Sequence, residues 1–185
     1  LRSTFDLMYG VQGLFGASEH VTRDEFHRYI SALNLPKHHP SIRAINYSKL
    51  VSGHAKSTFE STVRRDTSVR PEGYPAFTIR PAGERAEYLP ILYTEPLAGH
   101  ERSIGLDLLT EERRESAERA RDANGPVLSG RLHLASDSTR QPAFTVRLPV
   151  YHAGMELKTI AQRRAAWTGM LSTTFLARNL VGDVL

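Results

Sequence analysis

The hydrophobic pattern of this chain changes near Ala76, from a repeat of about 3.6 residues to an alternation, and few architectures accept both in that order. Upstream, Leu1, Phe5, Met8, Val11 and Phe15 fall on one helical stripe. Gly10, Gly13 and Gly16 recur inside it, each costing up to about 1 kcal/mol against alanine, which suits a helix in close contact or near its end. Thr22 and Glu25 have the spacing of a capping box, with Val21 and Phe26 placed as a hydrophobic staple, so a second helix starts there. It carries Phe26, Tyr29, Ile30 and Leu33 inward and stops before Pro36. A short segment from Ser41 to Ile45, a polar helix from about Tyr47 to Asp66 and a turn over Val69–Gly73 complete the helical part.

Downstream, Ala76–Ile79, Glu87–Tyr93 and Ser103–Leu106 read as strands, with Pro90 arguing for an edge or a bulge. Thr110 opens a helix that runs to about Ala123 and ends at Asn124-Gly125-Pro126. Gly130–Ala135, Ala143–Tyr151 and Trp167–Phe175 are further strands. The expected fold is α+β: a long N-terminal helix and a helical segment, then a PAS-like five-stranded antiparallel sheet with one helix between its second and third strands.

The chain has 185 residues, enough for one domain or two small subdomains. With no cysteine, disulfides, thiolate metal sites and cysteine nucleophiles are excluded. No run approaches the roughly 18 apolar residues of a spanning helix. The net charge of +4 is slight, and Arg64-Arg65, Arg113-Arg114 and Arg163-Arg164 are scattered among acidic residues, which argues against a nucleic-acid partner. Catalytic signals are missing too. His100-Glu101 lacks the second histidine of a zinc protease motif, and there is no G-x-S-x-G elbow, so a non-enzymatic role without cofactor or metal is expected. Asp107 reads as capping the turn into the next helix or pairing with an arginine, and Asn46-Tyr47-Ser48 matches a glycosylation sequon by pattern.

Several short motifs resemble one family in order and spacing. Glu87-Tyr88-Leu89-Pro90-Ile91-Leu92-Tyr93 is similar to the E-Y-x-P-I-x-Y strand of CHASE domains, and Gly105-Leu106-Asp107 to their G-x-D. Ala120-Arg121-Asp122 with Gly125, Pro149-Val150-Tyr151, and Gly169 six residues before Phe175 resemble the motifs that follow. Leu14-Phe15 with Ala17-Ser18, then Val21, Arg23 and Glu25-Phe26, resemble the entry helices. The resemblance implies a periplasmic or extracellular sensory domain of an inner- or plasma-membrane protein, flanked by transmembrane helices. Histidine kinases, cyclic-dinucleotide enzymes or adenylyl cyclases would be its output partners. It also implies an organisation of residues 1–72 as stalk and helical segment, 73–178 as the ligand-sensing subdomain, and 179–185 as the start of a membrane-proximal lobe.

Plant members of that family bind cytokinins through an Asp early in the helix after G-x-D and a Thr two residues before the Pro of P-V-Y. Here the first position falls at Arg114, or at Arg113 if the helix shifts by one, and the second at Arg147. An acceptor carboxylate and a hydroxyl have become guanidinium groups, which only donate. In Ala143–Tyr151, Thr145 and Arg147 share the face opposite Phe144, Val146, Leu148 and Val150; in the preceding strand His133 lies opposite Leu132 and Leu134. If those polar faces line a cavity, Arg113 or Arg114, His133, Arg147, Tyr88, Ser172 and Thr173 converge on it. Such a set suits a small carboxylate or phosphate held by charge-assisted bonds. Two other readings stand beside this one. Arg147 pairs with a carboxylate on a solvent-facing strand, or the domain is a structural module that dimerises through its first helix and has no ligand of its own.

Overall fold

The computed structural model describes residues 2–129, 132–133 and 142–176, with backbone alone at 111–112, 132–133, 142–143 and 176. Helix α1 (Arg2–Ala17) buries Thr4, Met8, Val11 and Phe15 along the expected stripe. Helix α2 (Arg23–Ala32) has the expected capping box: Thr22 Oγ1 accepts from Glu25 N at 3.2 Å, and Glu25 Oε2 accepts from Thr22 N at 2.8 Å. Val21 and Phe26 are both buried, so the staple that fixes the entry angle is in place. A single turn, α3 (Leu35–His38), follows with Pro36 in its first turn.

The main departure from the sequence reading comes next. Ala44–Lys49, expected to span the end of a helical segment and the start of a polar helix, is strand β1. Ile45 and Tyr47 face one way and Asn46 and Ser48 the other, and both sides are buried. A polar side turned toward the interior reads in sequence like a solvated helix face. The helix itself is shorter than expected, α4 (Lys56–Arg64), preceded by a 3-10 turn at Gly53–Ala55. Ala76–Ile79 also differs. Phe77 and Ile79 point inward as alternation requires, but no ladder forms, only a bridge from Arg80 to Leu106. Ser103–Leu106 is likewise a turn, in which Gly105 at φ +84° lies where a Cβ would meet Thr78 O at 2.2 Å. The Glu87–Tyr93 strand divides at Pro90: β3 (Glu87–Tyr88) pairs with β2 (Val51–Ser52), and β4 (Ile91–Glu95) joins the main sheet.

Helix α5 (Glu111–Ala123) follows, ended by Asn124 in the left-handed region. Then come β5 (Val127–Leu128), β6 (Leu132–His133), β7 (Pro142–Tyr151), α6 (Ile160–Ala166) and β8 (Trp167–Leu176). The main antiparallel sheet runs β4-β1-β8-β7-β5, with β6 also on β7. These five strands form the mixed α+β, PAS-like sheet the sequence implied, with α5 between the second and third of them. The residues before 72 supply one of its inner strands, β1, which lies between β4 and β8.

Each face has its own apolar cluster. On one side Met8, Val11 and Phe15 of α1 and Phe26 of α2 pack on Ile45, Tyr47, Leu148, Val150 and Leu171. On the other, Ala117 and Ala120 of α5 pack with Leu89, Leu108, Leu109, Trp167 and Met170. Small residues let α5 lie close to the sheet over positions that are otherwise polar.

Candidate ligand-binding site

On the α5 face, four neighbouring strands present polar side chains in one row. Arg147 on β7 is opposite Ser172 on β8, Ser172 is opposite Asn46 on β1, and Asn46 is opposite Thr94 on β4. Residues directly opposite in antiparallel strands share a face, and strands lie about 4.8 Å apart, so the row is continuous. All four are buried, as is Ser48 two positions along β1. Arg147 Nη1, Ser172 Oγ, Asn46 Oδ1, Thr94 Oγ1 and Ser48 Oγ are buried atoms with no hydrogen-bond partner among the described residues. Such atoms are rare in native interiors, and each costs roughly 1–3 kcal/mol. Among the described residues, five such atoms lie on this one sheet face.

Arg147 dominates this row. It is 1 % exposed, and its Nε donates to Ser116 Oγ on α5 at 2.8 Å. Ser116 in turn donates to Arg113 O at 3.0 Å. Among the described residues no carboxylate lies within ion-pair distance of Arg147. Burial, and then the nearby charge of Arg113, pull its pKa down from 12.5 to about 10, so it remains protonated near neutrality. A buried cation in that position is costly unless something anionic joins it.

The other candidate residues have different surroundings. Arg113 is half-buried on α5, close enough to act on Arg147 electrostatically. Arg114 points outward, pairing with Glu118 at 3.3 Å and donating to Leu109 O at 2.9 Å. Tyr88 is fully buried in the β2–β3 ribbon, where its hydroxyl donates to Gly83 O and accepts from Arg85 N, both at 2.9 Å. Thr173 lies on the α1 face and donates to Ala44 O at 3.0 Å. His133 sits on β6, and its side chain is outside the described residues. The structure thus brings Arg147 and Ser172 together, with Arg113 nearby, and sets Arg114, Tyr88 and Thr173 elsewhere.

Sequence reasoning missed Asn46, Thr94 and Ser116. The signal for Asn46 was the Ile45/Tyr47 alternation with Asn46 and Ser48. For Ser116 it was the run of small residues with Ala117 and Ala120 on one turn of α5.

Asp107, at the mouth of α5, is completely buried and does both things expected of it. Its Oδ1 accepts from Leu89 N at 2.8 Å and Leu109 N at 3.0 Å. Its Oδ2 lies 3.0 Å from Arg85 Nη2 as an ion pair without hydrogen-bond alignment.

The family model of the CHASE domain matches residues 19–185. The chain belongs to the CHASE family. CHASE domains are extracellular sensory domains of membrane-bound signalling proteins, and in this one no helix among the described residues is long and apolar enough to cross a membrane. No curated protein matches the chain. The Gly105-x-Asp107 element of this CHASE domain therefore has a plain structural meaning: Gly105 allows the close turn beneath Thr78, and Asp107 ties that turn to Leu89 and to the approach of α5.

Proposed function

We propose that this CHASE domain senses a small anionic ligand, a carboxylate or phosphate, between α5 and the sheet, with Arg147 as its principal anchor. The observation that carries the reading is a fully buried guanidinium with no carboxylate partner among the described residues, flanked by unpartnered Ser172, Asn46 and Thr94. A guanidinium offers a rigid fork of donors that matches two oxygens of one anion, while the neighbouring hydroxyls and amide read its remaining edge. Replacing an acceptor-bearing site with donors disfavours an adenine-type ligand such as a cytokinin. In this reading the domain is the periplasmic or extracellular portion of a receptor with flanking transmembrane helices, and its output is a histidine kinase or cyclic-dinucleotide enzyme.

The test is a thermal-shift and calorimetric panel of organic acids and inorganic phosphate on the wild-type domain and on Arg147→Met. At least one anion should stabilise the wild type and not the variant. A panel in which no anion stabilises the wild type, or in which the variant responds equally, overturns the reading.

A dimer through α1 is a compatible assembly. Tyr9 is 47 % exposed on that helix, and a Cβ at Gly13 or Gly16 would meet nothing within 4 Å, which leaves a surface open to a second helix. Sedimentation of the domain with and without bound anion tests this, and a monomer at all concentrations rules it out.

A further inference from the structure

The opposite face of the sheet carries an opening. At the C-terminal end of α1, β1, β4, β7 and β8 help to enclose a cleft of about 510 Å³, within the usual range for small-molecule sites. Phe15 and Val150 give it apolar wall, Tyr47 and Lys49 line it, and Glu19 stands at the loop beyond α1.

Tyr47 is held rigidly there. Its ring packs 4.4 Å from that of Phe15 and 5.5 Å from that of Tyr93, centroid to centroid. Gly169, across the ladder, leaves the space it occupies: a Cβ on Gly169 would come within 2.7 Å of Tyr47 Cε2 and 2.9 Å of its hydroxyl. Burial pushes the Tyr47 pKa up, so the group is a neutral O–H donor at any physiological pH. Lys49 follows two residues along β1 on the same face. Neither the Tyr47 hydroxyl nor the Lys49 ammonium has a hydrogen-bond or ion-pair partner among the described residues.

We propose that this cleft is a second binding site, for a small monocarboxylate with an apolar or aromatic body. A phenol O–H and an ammonium, side by side on one strand face, match the two oxygens of a carboxylate by charge-assisted hydrogen bonds. Phe15 and Val150 receive the apolar body. The site lies on the other side of the sheet from Arg147, and the inference stands apart from the function proposed for that residue.

Titration calorimetry and saturation-transfer NMR with phenylacetate and hexanoate, against 2-phenylethanol as the uncharged analogue, test it on the wild-type domain. Both acids should bind and the alcohol should bind more weakly. Tyr47→Phe keeps the ring packing and removes only the hydroxyl; it and Lys49→Ala should each weaken phenylacetate about tenfold. Arg147→Met should leave that affinity unchanged. The inference fails if neither acid binds, if the alcohol binds as tightly, or if both cleft variants keep wild-type affinity. Loss of phenylacetate binding in Arg147→Met alone would move the acid to the α5 face and count for that site instead.

Discussion

Gln12 on α1 donates from its side-chain amide to the backbone carbonyl of Pro149 on β7 at 2.6 Å. Pro149 is two residues past Arg147 on the same strand, so this bond fastens the first helix to the strand that carries the buried cation. If the proposed anion displaces β7, this bond offers a short polar link to α1 besides the packing.

In the intact receptor, Gln12→Ala should leave the anion-induced thermal shift of the sensory domain unchanged and reduce the output response. Measuring both in one variant separates recognition from transmission. Full output in the variant removes Gln12 from the route.

Arg147 is a liability when nothing anionic accompanies it, because burial holds its pKa below the usual value. Below about pH 10 the folded state bears the cost of a desolvated charge that the unfolded chain solvates freely. Arg147→Met should leave the ligand-free domain between unchanged and roughly 1–2 kcal/mol more stable in urea denaturation, while losing all response to anions. A strongly destabilised variant would mean that Arg147 is a structural support.

Asp122 joins α5 to α6. Its Oδ2 accepts from Arg164 Nη2 at 2.7 Å and its Oδ1 from Arg164 Nε at 3.1 Å, with Arg121 Nε at 2.7 Å on the same Oδ1. The Arg164 bonds, then those of Arg121, hold its carboxyl far below the usual range. A depressed carboxyl stabilises the fold above the unfolded value near 4 and loses that contribution as the pH falls toward its own lower value. Because Arg164 is largely exposed, Asp122→Asn should cost only about 0.5–1 kcal/mol at neutral pH. The gap between wild type and variant should narrow below about pH 4. Urea curves at both pH values decide it, and a gap independent of pH contradicts the linkage.

Gly169 is constrained by backbone as well as by Tyr47, since a Cβ would lie 2.5 Å from Ser48 O. Gly169→Ala should destabilise the domain by roughly 1–3 kcal/mol, measured by chemical denaturation. It should also weaken binding in the cleft, because the Tyr47 ring must move. Wild-type stability would show that β1 and β8 can separate at little cost.

Several parts of this fold are legible in the sequence alone. The Thr22–Glu25 box, the α1 stripe, the Asn124 end of α5 and the long alternations of β7 and β8 are local patterns, and local chemistry decides them. β1 is not, because Asn46 and Ser48 are polar yet face the interior, and hydropathy cannot tell an inward polar face from a solvated one. Ala76–Ile79 misled in the opposite sense. Its alternation correctly places Phe77 and Ile79 inside, but a ladder also needs a neighbour, and none lies alongside beyond the bridge at Arg80. The site followed the same logic. Arg147 and Ser172 could be paired from the phases of two long strands, whereas Thr173 is one residue out of phase and Asn46 lay in a segment read as helix.

β1 is hydrogen-bonded along both edges, to β4 and to β8, and its successive side chains, Asn46 and Tyr47, open to opposite sides. It is a partition between the polar row beneath α5 and the cleft beside α1. An occupant that straightens or twists this strand from one side alters the shape offered on the other, and the influence must run equally in both directions.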